Sequence, residues 1–467
     1  VSHIVVVGGG FAGLAAAVRL ARAGVRVTLL EARPFLGGRA YSFEDPRTGD
    51  EVDNGPHVLA GAYTEALDFL AEIGAAAKLA VQPRLDVAMA DAAAGWGAIA
   101  APAVPGPLQA PAALLGYRLL PRRDRLGVLV GALRLLRAAR DPTRTVAQAL
   151  AAAGQSPFAC ARFWTPLAVA TLNEAPEVAA AAPFAAVVRR LFLGRAAAAR
   201  FALARVPLGR LYTDDARRAI EAAGGTVVLG AAVGTLDLAG ERVAGVVLRD
   251  GRRLAADTVI LAVPVRALRA LLPPALAAAR PFAALAGLDT SPIVSVHLWL
   301  DRPCGWGRPF VGLLGTRTQW LFDAASGRRL ATVTSGARFW DGAADDAIVA
   351  TVLAEARAVL PALRAARAVR TLVVRERHAT LSLTPAAERV RPGATTPLAN
   401  LFLAGDWTRT GLPATIEGAV VSGRAAARAA LEAVRASATD TFRTRGENPG
   451  AERSAEDRRR RIETSPE

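Results

Sequence analysis

Ile4-Val5-Val6-Val7-Gly8-Gly9-Gly10-Phe11-Ala12-Gly13 is the stretch that decides the fold. Four β-branched residues in a row read as a short buried strand. The G-x-G-x-x-G turn follows at once. Gly8 allows the tight turn, Gly10 lets a pyrophosphate approach the backbone, and Gly13 lets the next helix pack close on the strand. An Ala-rich stretch to Ala23 reads as that helix, with free N–H groups and a positive dipole end facing the phosphates. Val25 to Leu30 is a second strand, and Glu31 at its end is placed to accept from the hydroxyls of an adenosine ribose. A lone G-x-G-x-x-G is weak, since Gly-rich turns are common. Both strands, the helix and the acid together favour a dinucleotide site over a merely structural turn. Glu31 also disfavours a 2′-phosphate, so NADP is not expected in this site.

Just past the second strand, Gly37-Gly38-Arg39 brings another backbone segment and a cation towards the pyrophosphate. Far downstream, Leu401-Phe402-Leu403-Ala404-Gly405-Asp406 reads as strand and turn, followed by Thr415-Ile416-Glu417-Gly418-Ala419 and Ser422-Gly423-Arg424. The E-x-R-x-x-x-G-G-R continuation and this far end resemble the flavin amine oxidase and phytoene desaturase superfamily. That resemblance implies an α/β fold: a Rossmann-type FAD-binding domain with an inserted α+β substrate domain. It implies FAD contacts from Gly8, Gly10, Phe11, Ala12, Gly13, Glu31, Ala32, Gly37, Gly38 and Arg39. Further contacts are implied from Gly55, Pro56, His57, Val233, Gly405, Asp406, Ala414, Thr415 and Ile416.

The chain has 467 residues, too many for one small core, and 52% of them are hydrophobic, which suits a globular protein of two or three domains. Two cysteines, Cys160 and Cys304, make no disulfide framework and fit a reducing compartment. Neither lies near the closing flavin segment, so a Cys-linked flavin is not expected. Four histidines, none paired at ligand spacing, make a metal site unexpected. Lys78 is the sole lysine; the net charge is +16. A genome rich in Arg codons explains the shortage of lysine but not the positive excess, which points to an anionic surface. Sparse aromatics and the lack of a nucleic-acid motif favour membrane over nucleic acid. The N-terminal apolar segment is used by the fold and carries no basic leader, so a cytoplasmic protein, peripheral on the inner face of the cell membrane, is expected. The longest uncharged run, Ala92 to Tyr117, is broken by Pro102, Pro105, Pro107 and Pro111 and should not span a bilayer.

The order of strand-like and helical runs gives a discontinuous FAD domain of 1–75, 206–265 and 386–437. The insertions 76–205, mostly helix with Pro-rich loops, and 266–385, helix with strands, should form the substrate domain. Residues 438–467, rich in charge, Ser, Gly and Pro, are expected to be a disordered tail.

Several segments resemble one family within the superfamily. They are Asp53-Asn54-Gly55-Pro56-His57 with Gly61-Ala62-Tyr63, Phe163-Trp164-Thr165-Pro166-Leu167 with Ala170-Thr171-Leu172-Asn173, Pro207-Leu208 with Leu211, Asp214 and Ala216, Val311 to Gly315 with Gln319 to Asp323, and Gly405-Asp406-Trp407-Thr408 with Thr410 to Gly418. They are similar to the hydroxysqualene dehydroxylases, squalene-associated flavoenzymes of bacterial hopanoid pathways. Pro56 departs from the Gln of that family. The resemblance implies reduction of hydroxysqualene, or a similar long isoprenoid alcohol, to squalene with loss of water, using NADPH or another reductant as electron donor. Hydroxide leaves poorly, so the oxygen must be protonated or hydrogen-bonded as C–O breaks. A reduced flavin can supply the hydride, and a dry slot must keep water from the allylic cation.

Candidate catalytic residues are His57, Asn173, Glu174 and Asp323, among them the acid. Each also has a structural reading: a His that holds its loop, a helix end at Asn173-Glu174, a turn residue at Asp323. Glu417 is favoured at a helix start by the dipole in any case. Trp164, Trp320, Phe322 and Trp407 read as slot walls or ordinary core. Rival functions are an amine oxidase, for which the single upstream Lys78 is unfavourable, a carotenoid-type desaturase that takes hydride, and a non-catalytic isoprenoid-binding flavoprotein. A C30 substrate must load from a bilayer or a partner. Residues 110–140 suggest the bilayer, through an apolar ridge of Leu114, Leu115, Leu119 and Leu120 collared by seven arginines between Arg118 and Arg140.

Overall fold

The strand His3–Val7 lies at the centre of a five-stranded parallel sheet in the computed structural model, which describes residues 2–104 and 108–446. Arg26–Leu30 and Thr258–Leu261 flank it, with Thr226–Val228 and Leu401–Leu403 at the edges. Its residues face two cores alternately, as the pleat dictates. Ile4 and Val6 pack against the helices Phe11–Arg22, Leu208–Ala222 and Ile416–Gly446. Val5 and Val7 face the side carrying a three-stranded antiparallel sheet of Val233–Ala239, Arg242–Leu248 and Arg253–Ala255.

Small residues set the spacing on the helical side. A Cβ on Gly13 would lie 1.9 Å from the Gly8 carbonyl oxygen, and one on Gly423 would lie 2.0 Å from that of Ala12. The first contact seats the helix Phe11–Arg22 on its own turn; the second seats the last helix on the first. Strands contributed from across the chain therefore end at one edge, where the Gly turn leaves the central strand. That is the position at which α/β sheets bind ligands.

A second, seven-stranded sheet runs in the order Ala368–Leu381, Thr290–Leu300, Arg329–Ser335, Trp320–Asp323, Phe310–Leu314, Asp86–Asp91, Gly95–Ala100. The strands Thr290–Leu300, Trp320–Asp323 and Arg329–Ser335 lie in the insertion read from the sequence as helix with strands. The hairpin 86–100 does not: it falls in a region expected to be mostly helical. Its alanines and glycines carry little strand propensity. Tertiary pairing decides it instead. Asp86–Asp91 pairs in parallel with Phe310–Leu314, Val87 and Met89 fill the helical side, and Ala88 and Ala90 fill the other. Asp91 accepts from the backbone N–H groups of Ala93 and Ala94 to form the turn.

One face of this sheet carries the helices Gln109–Leu115, Arg122–Ala138, Val146–Ala152, Thr165–Leu172 and Ala181–Leu193; Asp345–Val359 covers the other. The ridge expected at 110–140 is corrected here. Leu114, Leu119 and Leu120 are buried, because this helical layer has to fill the space above the hairpin, where the Leu119 side chain packs onto Gly97. The last helix runs on to Gly446, past 437, through a stretch with no Gly or Pro after Gly423; the remainder of the expected tail, 447–467, lies outside the described residues. Among the described residues no helix is long and apolar enough to cross a membrane.

Candidate functional site

Gly8 turns the chain with φ +111°, a conformation that side chains rarely adopt. Its N–H donates to the Leu30 carbonyl (2.8 Å), which locks the Gly turn to the end of the second strand. Gly10 differs in kind. A Cβ there would meet only the Gly38 Cα, 3.7 Å away, so protein packing does not require glycine at this position. The open space above it is what a phosphate resting on the helix N-terminus needs.

Glu31 is buried at the rim of the turn. One carboxylate oxygen accepts from the Gly9 N–H (2.7 Å) and the other from the Arg33 N–H (2.9 Å), which holds both oxygens in place with lone pairs left for ribose hydroxyls. The second Gly pair is fixed by a residue that the sequence analysis did not single out. Tyr212 stacks on Phe11 (ring centroids 3.7 Å apart, 11° between planes), and its hydroxyl donates to the Gly37 carbonyl (2.8 Å), with that of Ala40 at 3.0 Å. A tyrosine on a distant helix carries no local signal of such a role.

Arg39 reaches across to the far end of the chain. Its guanidinium donates to Asp406 (2.6 Å) and to the Ala379 carbonyl (2.7 Å). Burial works against its charge, but the Asp406 carboxylate outweighs it, and the guanidinium is held above its ordinary pKa. The segment after Asp406 is clamped by Arg391, which is fully buried and also escaped notice in the sequence. It donates to the carbonyls of Asp406, Trp407, Thr408 and Leu412, and Glu388 balances its charge at 2.8 Å.

These pieces enclose one cavity of about 650 Å³. Of the residues assigned to FAD from the sequence, all but Gly13 line it; Gly13 lies beneath, against Gly8. The cavity continues between Ala170 and Thr171 of one helix and Ile293, Trp320, Phe322 and Val333 of the seven-stranded sheet. Trp407 also lines it, donating to the Val263 carbonyl (2.9 Å). Trp164 does not; it is core, bonded to Gln155.

The four candidate catalytic residues separate clearly. His57 lines the cavity, but its Nδ1 donates to the Gly55 carbonyl (2.7 Å), and burial lowers its pKa against the pull of that carbonyl and of Asp53. The lowered pKa favours the neutral ring, and the bond to Gly55 commits its proton to Nδ1. Asn173, in a left-handed conformation at φ 52°, also lines the cavity. Its amide is spent on Ser291 O, Thr380 Oγ1 and Gly336 N, tying the end of the helix Thr165–Leu172 to the sheet. Glu174 is not on the cavity wall: both its oxygens take Arg338 at 2.8 Å, and Ser382 adds a third bond. Asp323 is not on the wall either; it accepts from the Gly327 N–H (2.7 Å) and shapes a turn. The wall offers two further groups that the sequence reading did not count among the catalytic candidates. Glu376 is one. Tyr63 is the other, next to Thr415, its pKa pushed up to about 12, chiefly by burial. Tyr63 precedes the helix Thr64–Glu72, whose first N–H groups bond Glu417, so Glu417 joins two helix starts and is not on the cavity wall. Lys78 bonds Asp215 and the Arg210 carbonyl, off the cavity. Among the described residues no cluster of His, Cys, Asp and Glu is placed to hold a metal ion.

A Gly cradle with space for a diphosphate, a carboxylate at the ribose position and a cation–carboxylate pair closing the ring end fit FAD. The fold and the site define a flavin-dependent oxidoreductase. The chain belongs to the flavin-containing amine oxidoreductase family, whose pattern matches residues 11–431. It is 35% identical over 452 residues to the hydroxysqualene dehydroxylase of Rhodopseudomonas palustris, covering 92% of this chain and 99% of that one. It is 26% identical to the 15-cis-phytoene desaturase of Synechococcus elongatus, over 92% of this chain and 96% of that protein. Among solved structures, an oxidoreductase from Methanosarcina mazei superposes with a TM-score of 0.68 at 18% identity, covering 90% of this chain and 99% of that one.

Proposed function

We propose that the protein removes the hydroxyl group of a long allylic isoprenoid alcohol, reducing hydroxysqualene to squalene with release of water. One observation carries this reading: the apolar channel of Ala170, Ile293, Trp320, Phe322 and Val333 opens directly into the FAD cradle. A hydrocarbon chain lying there places a carbon beside the cofactor with little water around it. Similarity to a relative that bears the dehydroxylase name supports the same reading. FAD, when bound and reduced, supplies the hydride.

The chain's own residues have three tasks. The aromatic and aliphatic walls exclude water, which would otherwise capture an allylic cation. Arg39, Asp406 and the Gly turn orient the cofactor. A proton donor must hydrogen-bond the leaving oxygen as C–O breaks. The Nδ1 of His57 is engaged with the Gly55 carbonyl and its pKa is lowered, whereas Tyr63 holds its proton through the working pH range and faces the same cavity. An amine oxidase of the kind that uses a lysine near the flavin finds none here, since Lys78 is engaged elsewhere.

The test is anaerobic. The flavin of the purified protein is photoreduced and mixed with hydroxysqualene. Reoxidation of the flavin and formation of squalene, with deuterium from flavin N5 at the former carbinol carbon, is the expected result. No reoxidation by the alcohol, with reduction of the oxidised flavin by a polyene hydrocarbon, would replace it with the desaturase reading.

A further inference from the structure

The helix Arg122–Ala138 buries one face, with Val128, Gly131, Ala132 and Leu135 in the core, and turns the other to solvent. On that outer face Leu126, Val130 and Leu133 are 58%, 49% and 60% exposed. At about 100° per residue these three, with Arg122, Arg123, Arg134 and Arg137, fall within one arc of about 120°. The arginines sit at the two ends of the helix and the aliphatic residues in the middle. Arg125 donates to the carbonyls of Leu115 (2.8 Å) and Leu120 (2.7 Å), which draws exposed Leu115 and Arg118 alongside the first turn.

A second observation concerns charge. Among the described residues, Arg118, Arg122, Arg123, Arg134, Arg137 and Arg140 have no side-chain hydrogen bond or ion pair. The one acid of the segment, Asp124, is buried and taken by Ser156 Oγ (2.8 Å). This basic face is therefore not neutralised from within the protein.

We infer that the outer face of the helix Arg122–Ala138 docks on an anionic lipid surface, with Leu126, Val130 and Leu133 entering the acyl boundary and the six arginines meeting lipid phosphates. Charge complementarity selects this occupant. A second copy related by a two-fold axis would set these arginines against their own equivalents. A nucleic acid would use the charge but gain nothing from three exposed aliphatic side chains, and no aromatic on this arc offers a stacking surface. A bilayer uses both features, since an interfacial helix has apolar residues on one face with basic residues beside them. The inference rests on the proposed function only for its purpose, which is to load a water-insoluble chain; the docking itself stands on the exposed face.

Vesicle flotation of the full-length, FAD-loaded protein tests it. Vesicles of phosphatidylcholine alone are compared with vesicles containing a third phosphatidylglycerol. The expected result is binding that requires phosphatidylglycerol and falls at least tenfold between 0.05 and 0.5 M salt, estimates that follow from screening of surface charge. Replacing Arg122, Arg123, Arg134 and Arg137 by Glu should abolish it. Leu126→Ser with Val130→Ser and Leu133→Ser should leave a weakened, purely salt-sensitive component. Flavin content and turnover of detergent-dispersed substrate should be unchanged in both variants, which separates failure of docking from failure of the proposed reaction. No binding to anionic vesicles, equal binding by the Glu variant, or a dimer that the Glu variant dissolves would each overturn the inference.

Discussion

Arg39 donates to the Asp406 carboxylate at 2.6 Å, although the two residues stand 367 positions apart in the chain. The bond joins the second Gly loop to the turn after the last strand and so closes the cofactor cavity from both ends. It also keeps a carboxylate beside a dianionic diphosphate from acting as an uncompensated negative charge. Arg39→Ala should therefore weaken FAD binding by about 1.5–3 kcal/mol, the range for a hydrogen bond to a charged group. The fold should survive. Equilibrium dialysis of the apoprotein against FAD measures it, and unaltered affinity would show that the pair has no part in holding the cofactor.

Gly10 and Gly13 are both glycines of the same turn, yet they should fail in opposite ways. A Cβ at position 10 meets nothing closer than 3.7 Å, whereas one at position 13 would lie 1.9 Å from a carbonyl oxygen. Gly10→Val should give a folded apoprotein that binds no FAD. Gly13→Ala should force the helix Phe11–Arg22 off its strand and lower stability by about 1–3 kcal/mol or more, as overpacking does. Thermal melts of the two apoproteins, with flavin absorbance alongside, distinguish these results.

Arg391 offers a stability test away from the chemistry. Its guanidinium satisfies four carbonyl groups of the segment 406–412 and faces Glu388. Arg391→Leu would leave those carbonyls and a carboxylate buried without a partner, at a cost of about 3–5 kcal/mol. Arg391→Lys should rescue little, because an ammonium lacks the planar fork that reaches four acceptors. Urea unfolding midpoints check both variants.

The cofactor half of the site was legible because its chemistry is local in sequence. Gly8, Gly10, Glu31 and Gly37-Gly38-Arg39 lie in one βαβ unit, and Asp406 and Thr415-Ile416 in one strand–turn–helix. The residues that hold these pieces together were not legible. Tyr212 and Arg391 act through backbone carbonyls remote in the chain, and a tyrosine or arginine in a helix looks ordinary from its neighbours. The hairpin 86–100 escaped for a related reason: its strands exist through pairing with Phe310–Leu314, against a composition that favours helix. The exposed aliphatic face was misplaced because nothing local in the sequence separates Leu114, Leu119 and Leu120, which are buried, from Leu126 and Leu133, which are exposed on the following helix.

Tyr63 should matter for turnover and not for the cofactor. Burial first, and then Glu417, push its pKa up to about 12 against the bond to Thr415 and the nearby Arg190. Its proton is therefore retained under any working condition. Tyr63→Phe should keep FAD and reduce with the same reductant, yet slow product formation by about a hundredfold, the lower end for loss of a positioned proton donor. Rapid mixing of the reduced variant with hydroxysqualene measures the step directly; an unchanged rate would move the donor role to Glu376.

His297 should give the protein an acid limb of its own. It is buried on the strand Thr290–Leu300, and neither ring nitrogen has a hydrogen-bond partner. Burial, helped by Arg329, lowers its pKa to about 4 despite the nearby Asp53 backbone, too poorly aligned for a full hydrogen bond, and the carboxylates of Asp53 and Asp45. In the unfolded chain it titrates near 6.5. Between these values the unfolded state binds the proton and the folded state does not, so stability rises with pH across the window. The contribution is complete above about pH 6.5 and is lost progressively towards pH 4, amounting to about 3 kcal/mol over that span. His3 and His57 are lowered too, each chiefly by burial, and add slope of the same sign. His297→Leu should therefore flatten the urea midpoint between pH 6.5 and 4 without abolishing its slope. A variant as acid-sensitive as the parent in that window would mean that His297 is protonated in the folded protein.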